Sequence, residues 1–154
     1  MEVATFADLE PEFLRRAHSA VWCNVATVDR QGRPRSRILH PIWVEGVGWI
    51  LTRRATLKAR HLSHNPYVSL AYIADIAHPL YVDCEAAWVD DVAEKRRIWN
   101  LFKAAPPPLG YDPAPIFVAP DDANLGLLRL TPWRAETREA DGASRVWRRA
   151  AGSG

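Results

Sequence analysis

A chain of 154 residues, 48% hydrophobic and 25% charged, has apolar material for one domain with its own core and too little length to argue for two. A net charge of +2 is too small to imply nucleic acid, and no stretch approaches the ~18 apolar residues of a membrane span. The first eight residues carry an early acid, Glu2, and no long apolar run, so no signal peptide is expected and the cytoplasm is the default compartment.

Asp8 to His18 reads as a helix, with Phe13, Leu14 and Ala17 at helical spacing and Arg15 and Arg16 facing outward. Ala20 to Val28 reads as a strand that is apolar on both faces and belongs in a barrel wall. Cys23 within it, and Cys84 further on, are expected as buried free thiols, because two cysteines are too few for a disulfide scaffold. Asp29 to Pro34 is a turn by composition. Arg35 to Trp43 is expected as one strand with an edge or bulge at Pro41, which cannot donate to a ladder. Glu45-Gly46 is a hairpin signal leading to a strand that ends at Thr52. Thr56 is placed to cap a short helix beginning at Leu57. Pro66 biases Asn65 away from helical dihedrals, so that helix should stop near His64, before a strand from Val68 to Tyr72.

Leu80 to Val89 is a further strand with Asp83 and Glu85 on one face. Paired carboxylates can do acid–base work, but a solvated strand face is the commoner explanation. Asp91 opens a second long helix with Glu94 at capping-box spacing. Val92, Ile98, Trp99, Leu101 and Phe102 form its apolar side, and Lys95 to Arg97 its solvated one. Residues 104–122 hold six of the twelve prolines, together with Tyr111, Ile116 and Phe117. That is too apolar for a free linker; it reads as a packed loop over a barrel mouth, or as an insertion without a chemical role. Leu125 to Glu139 is the last long strand, with an edge or bulge at Pro132. Asp141-Gly142 is a hairpin signal, Val146-Trp147 a short return, and residues 151–154 a flexible tail. Seven tryptophans suggest an aromatic β core or an aromatic surface covered by a partner subunit.

One stretch carries the chemistry. Arg35 and Arg37 are two apart and share a strand face. Thr52 ends the partner strand, and Thr56 and Lys58 occupy a first helical turn whose free N–H groups favour an anion. These groups can converge on one phosphate; the plain alternative is a solvated sheet edge with ordinary surface cations. There is no Gly-x-Ser-x-Gly elbow, dinucleotide fingerprint or phosphate-binding P-loop, and Cys23 and Cys84 lack zinc spacing. His61 and His64 can share a helix face as metal or haem ligands, although polar helix-end residues are commoner. No catalytic side chain and no metal site is assigned.

The run Gly-Arg-Pro-Arg-Ser-Arg-Ile38, then Thr52, Thr56-Leu-Lys58 and His64-Asn-Pro-Tyr-Val-Ser-Leu70, resembles the split β-barrel flavin-binding family that includes pyridoxamine 5′-phosphate oxidase. The resemblance implies a mainly β, α+β fold: a six-stranded antiparallel split β-barrel with flanking helices, paired as a homodimer. It implies FMN as cofactor, with the deazaflavin coenzyme F-420 as alternative and haem in some relatives. Backbone groups from Arg35, Ser36, Arg37, Ile38 and Leu39 would face the ring edge. Thr56, Lys58 and an arginine would hold the phosphate, with Leu51, Thr52 and Leu57 beside them. A second subunit would complete the pocket, and the segment around Trp133 is a candidate for that contribution. His40 or Pro41 stands where the oxidase carries a lysine, and Arg129 to Arg134 replaces its later Arg-x-His pattern. The resemblance therefore implies the cofactor more than the vitamin substrate. The expected function is an oxidoreductase passing a hydride or electrons to a small substrate, with the ring supplying the redox chemistry. The alternatives are a non-catalytic flavin or haem carrier, and a single-strand nucleic-acid binder using Arg35, Arg37, Trp43 and Trp49 as a platform.

Overall fold

The structure is a computed structural model describing residues 1–150; the expected tail at 151–154 lies outside the described residues. Eight strands form one antiparallel sheet: β1 Cys23–Val28, β2 Pro34–Leu39, β3 Ile42–Val44, β4 Val47–Arg53, β5 Tyr67–Tyr72, β6 Leu80–Val89, β7 Leu125–Arg138 and β8 Ser144–Arg148. The helices are α1 Glu10–Ala20, α2 Leu57–His64, α3 Val92–Ala104 and the short α4 Ala114–Phe117, with a 3₁₀ turn at Phe6–Asp8.

The strand order β2-β1-β5-β6-β7-β4-β3 forces the sheet to curl. Laid flat, its end strands would sit roughly 29 Å apart at ~4.8 Å per neighbour. Yet β2 and β3 are joined only by His40 and Pro41, a link that reaches about 10 Å at most. The expected fold class therefore stands, but the strand count is eight rather than six. The single strand expected over Arg35 to Trp43 is cut at His40-Pro41: Leu39 ladders with Cys23 of β1, whereas Ile42 ladders with Trp49 of β4. Pro41 has no N–H to continue either ladder. The return around Val146-Trp147 is a full strand paired with β7.

Alternation fills the barrel. Cys23, Val25, Leu70, Val82, Leu128 and Leu130 meet inside it, and Phe13 and Trp43 stack edge to face with centroids 4.8 Å apart. Trp43 Nε1 donates to the Tyr72 hydroxyl at 2.8 Å, which satisfies two polar groups in an otherwise apolar interior. A second cluster lies outside the wall, where Ile98, Trp99 and Phe102 of α3 cover Ile42, Trp49 and Leu51. Trp43 and Trp49 are thus core residues, and the aromatic platform of the nucleic-acid reading is absent from the surface.

Local signals hold with small offsets. The Glu45-Gly46 turn has φ of 51° and 72°, the doubly positive pair of a tight hairpin. The first helix spans Glu10–Ala20 rather than Asp8–His18, because a Thr5–Asp8 capping box winds a 3₁₀ turn first. The first strand starts at Cys23 rather than Ala20, since Val21 caps α1 with a φ of 66°. Its faces also differ from expectation: Cys23, Val25 and Thr27 are buried and Asn24 is exposed. Arg16, expected outward, is only 4% exposed. It donates to the carbonyls of Pro79 and Arg138 and pairs with Glu12 and Glu139, clamping α1 to the barrel. Pro132 does accompany a bulge: Asp83 faces Arg134 and Cys84 faces Pro132, which leaves Trp133 without an opposite residue.

Candidate cofactor site

The break between β2 and β3 opens one side of the barrel into a cleft of about 470 Å³, within the size range of small-molecule sites. Trp22, Ile38, Leu39 and His40 form one wall, and Ile50 to Arg53 of β4 form the floor. Thr56 and Lys58 close the polar end, and Pro108, Tyr111, Ile116 and Phe117 supply a roof. The lining contains no carboxylate. The proline-rich segment is thus the packed loop over the barrel mouth that its composition suggested. It is tied down by Gly110 N donating to Pro106 O and Tyr111 N donating to Phe102 O, both at 2.9 Å. A Cβ on Gly110 would lie 1.9 Å from the Ala105 carbonyl oxygen, so the loop can close onto α3 only with glycine there.

Lys58 dominates the electrostatics. It is 7% exposed, and its Nζ donates to Thr56 Oγ1 at 3.1 Å. No carboxylate faces it among the described residues. Burial, with the Arg37 guanidinium adding repulsion, pushes its pKa from the ordinary 10.5 down to about 8. A buried ammonium with no counter-charge is costly unless an anion joins it. Thr56 is the N-cap residue of α2 as expected, but its side chain makes no cap hydrogen bond: the hydroxyl donates to Arg53 O at 3.4 Å and accepts from Lys58 instead.

Of the ten residues expected around a cofactor, Ile38, Leu39, Leu51, Thr52, Thr56 and Lys58 line the cleft. Four do not. Arg37 turns inward, where its Nη1 donates to Thr27 Oγ1 at 2.8 Å, although it stays near enough to repel Lys58. Arg35 and Leu57 face an adjoining recess rather than the cleft. Ser36 is exposed on β2, which ends the sheet and so leaves one rim of its backbone without ladder partners. The expected meeting of Arg35 and Arg37 with Lys58 is therefore only partial. The two arginines do share a face, but the Thr27 hydroxyl captures Arg37 and the β1–β2 turn carries Arg35 past the cleft end.

His40 is a lining residue that sequence reasoning noted only as a departure from the family pattern. It is buried among Trp22, Phe102 and Tyr111, with ring centroids 4.8, 5.7 and 5.3 Å away. Its Nε2 has no hydrogen-bond partner among the described residues, and burial holds its pKa below the usual value, so the imidazole is neutral at pH 7. Trp22 was missed as a wall residue, because its place beside β2 is set by the end of α1, where Val21 turns the chain, rather than by the strand pattern. Other candidates lie elsewhere. Asp83 accepts from Ser69 Oγ and Arg134 Nη1, in a polar network on the sheet that also includes Glu136. Glu85 lies 3.9 Å from Arg149. His61 is buried with Nδ1 on Thr27 Oγ1, while His64 is exposed, so the two do not face one ligand. No group of three or more His, Cys, Asp or Glu residues able to hold a metal is found among the described residues.

Known proteins share this architecture. General stress protein 26 from Bacillus anthracis superposes with a TM-score of 0.69 at 18% identity, over 88% of this chain and 96% of that one. A pyridoxamine 5′-phosphate oxidase-related, FMN-binding protein from Nostoc punctiforme gives 0.68 at 17% identity, over 99% and 94%. HutZ, the haem storage protein of Vibrio cholerae, gives 0.57 at 23% identity, over 80% and 89%. No curated protein sequence matches the chain. No helix among the described residues is long and apolar enough to cross a membrane. The family model described as pyridoxamine 5′-phosphate oxidase matches residues 9–138, and the chain belongs to that split-barrel family.

Proposed function

We propose that this chain binds a flavin-type cofactor in the β2–β4 cleft and, as a homodimer, passes a hydride or electrons to a small substrate. The observation that carries the reading is Lys58: a buried, carboxylate-free ammonium at the polar end of an apolar-walled slot. A phosphate there would restore the lost counter-charge, with Thr56 and Thr52 offering hydroxyls beside it. Ile38, Leu39 and Tyr111 would flank a flat ring, and the unpaired rim of β2 would offer backbone groups to its polar edge. When bound, such a ring supplies the redox chemistry, and the protein orients it and excludes water.

FMN is the leading cofactor and the deazaflavin coenzyme F-420 its alternative, since the slot and the cation serve both. The dimer reading rests on the cleft mouth, where Trp22 is 57% and Ile38 61% exposed, and on a family whose members are typically dimers. A cytoplasmic setting is in keeping with two buried free thiols, Cys23 and Cys84. Mass spectrometry of the small molecule carried by purified protein, with FMN and F-420 titrations, tests the reading. Stoichiometric binding of one of them, weakened by Lys58→Ala, supports it; affinity for neither removes it. A non-catalytic carrier is the second reading, favoured by a lining that holds no carboxylate. It requires stoichiometric cofactor with no turnover under any reductant.

A further inference from the structure

His40 carries an unspent hydrogen-bonding atom at the apolar end of the cleft. The side chain is 8% exposed, and its Nε2 has no partner among the described residues. Burial lowers the pKa of the ring, and the Leu109 carbonyl opposes that effect by accepting from it. Since Nε2 is unpartnered, the bond to Leu109 falls to Nδ1, which therefore carries the proton and leaves a lone pair on Nε2. His18 is near enough to feel the charge of His40 but is engaged elsewhere, its Nε2 accepting from the Trp43 N–H at 3.1 Å. An acceptor shut away from water without a donor is a standing cost to the fold, and a ligand that brings the donor removes it.

The surroundings set the kind of group that can deliver it. The rings of Trp22, Phe102 and Tyr111 enclose the imidazole, and no cation or carboxylate perturbs it. Arg37 is the β2 residue whose charge reaches Lys58. His40 comes three residues later, roughly 10 Å further along an extended chain. The cleft is thus charged at one end only. A phosphate at Lys58 uses that charge, and a molecule against His40 meets aromatic faces and one lone pair. An anion there would find no donor and no counter-charge, and a cation would enter a cleft lined by Lys58 and Arg53 with no carboxylate. Trp22 is 57% exposed while Phe102 is fully buried, so Trp22 is the ring free to swing toward the mouth and admit a flat molecule to Nε2.

We infer that the His40 end of the cleft selects an uncharged, flat aromatic substrate that donates an O–H or N–H to His40 Nε2, which makes His40 a specificity-determining residue. This rests on the cofactor reading above and adds the substrate class: phenols, hydroquinones and neutral N–H heterocycles rather than phosphorylated or carboxylated compounds. A site built around one buried acceptor rejects an analogue without the donor far more strongly than one that merely differs in shape, because the acceptor is stranded again.

The test is calorimetric titration of FMN-loaded protein at pH 7 with four probes of similar shape: 2-naphthol, its methyl ether, 2-naphthoate and 2-naphthylmethylammonium. The parent should bind 2-naphthol at least about tenfold more tightly than each of the others. His40→Phe keeps an aromatic ring and loses the acceptor; it should bind 2-naphthol and the ether alike and hold FMN within about threefold of the parent. In parent protein with ¹⁵N-labelled histidine, one Nε2 resonance should move toward its protonated position when 2-naphthol is added and stay in place with the ether. Equal affinity of the parent for 2-naphthol and the ether, a preference that survives in His40→Phe, or histidine resonances that do not respond would each overturn the inference. So would loss of FMN from a folded His40→Phe, which would make His40 part of the cofactor's wall. Parent protein that binds neither FMN nor F-420 overturns the flavin reading and the substrate class with it. Parent protein that holds its cofactor but treats the probes alike overturns the substrate class alone.

Discussion

Lys58 makes the sharpest prediction, because the structure sets binding against stability at one atom. With its pKa moved from 10.5 to about 8, the charged side chain costs the apo fold about 3 kcal/mol at neutral pH. The sign follows from linkage. Above pH 10.5 both folded and unfolded chains hold a neutral amine and there is no penalty. Between 10.5 and about 8 the unfolded chain takes up the proton first and stability falls; below about 8 the penalty is complete. Lys58→Met keeps much of the aliphatic stem and removes the charge, at the cost of the bond to Thr56. The cofactor-free variant should therefore gain about 2 kcal/mol at pH 7, or about 5 °C in Tm for a chain of this length. That gain should shrink as pH rises above 8 and turn into a deficit of about 1 kcal/mol near pH 10.5, where only the lost bond to Thr56 remains. The same variant should bind FMN more weakly by about 1.5–3 kcal/mol, roughly 10- to 150-fold. Thermal unfolding of parent and variant from pH 6.5 to 10.5, beside an FMN titration, reads both effects. A variant less stable than the parent at pH 7, or a Tm difference that ignores pH, would refute the account of Lys58 as an uncompensated buried charge.

Three further expectations follow from particular contacts. His18 and His40 both have pKa values held below 6.5, chiefly by burial, so the stability they contribute above that pH is lost as pH falls through their lower folded values. The parent Tm should drop below pH 6.5, and His40→Phe should flatten that drop; an unchanged slope would count against it. Arg16→Met removes the donor to the Pro79 and Arg138 carbonyls and frees the partly exposed Glu12 and Glu139, and should cost about 1–3 kcal/mol in urea unfolding. A cost below about 1 kcal/mol would show that the clamp is not structural. Gly110→Ala pushes a methyl into the Ala105 carbonyl and should dislodge the roof. Cofactor affinity should fall at least tenfold while the far-UV dichroism of the barrel persists; unaltered affinity would remove the roof from the site.

What could be read from the chain alone was local. Glu45-Gly46 specified its hairpin through positive φ at both positions, and Asn65-Pro66 ended α2 through the steric limits on a residue before proline. Lys58 was legible as a cleft-lining cation because it lies in the first turn of α2, a fixed step after the strand that ends near Thr52. Neighbours within a few residues settle such features, since dihedral preference and side-chain period act at short range. The rest depended on which strands meet. Nothing near Pro41 says that β2 will ladder with β1 while β3 ladders with β4, and that division opens the cleft. Arg35 and Arg37 share a face by strand period, but only the packing of α2 on β1 sends one to Thr27 and the other to a recess. Trp22, His40 and Tyr111 converge from three separate segments, and Arg16 is buried by carbonyls more than 60 residues away in sequence. Those contacts arise when the sheet closes, because burying apolar area in a barrel fixes distances that no window of sequence contains.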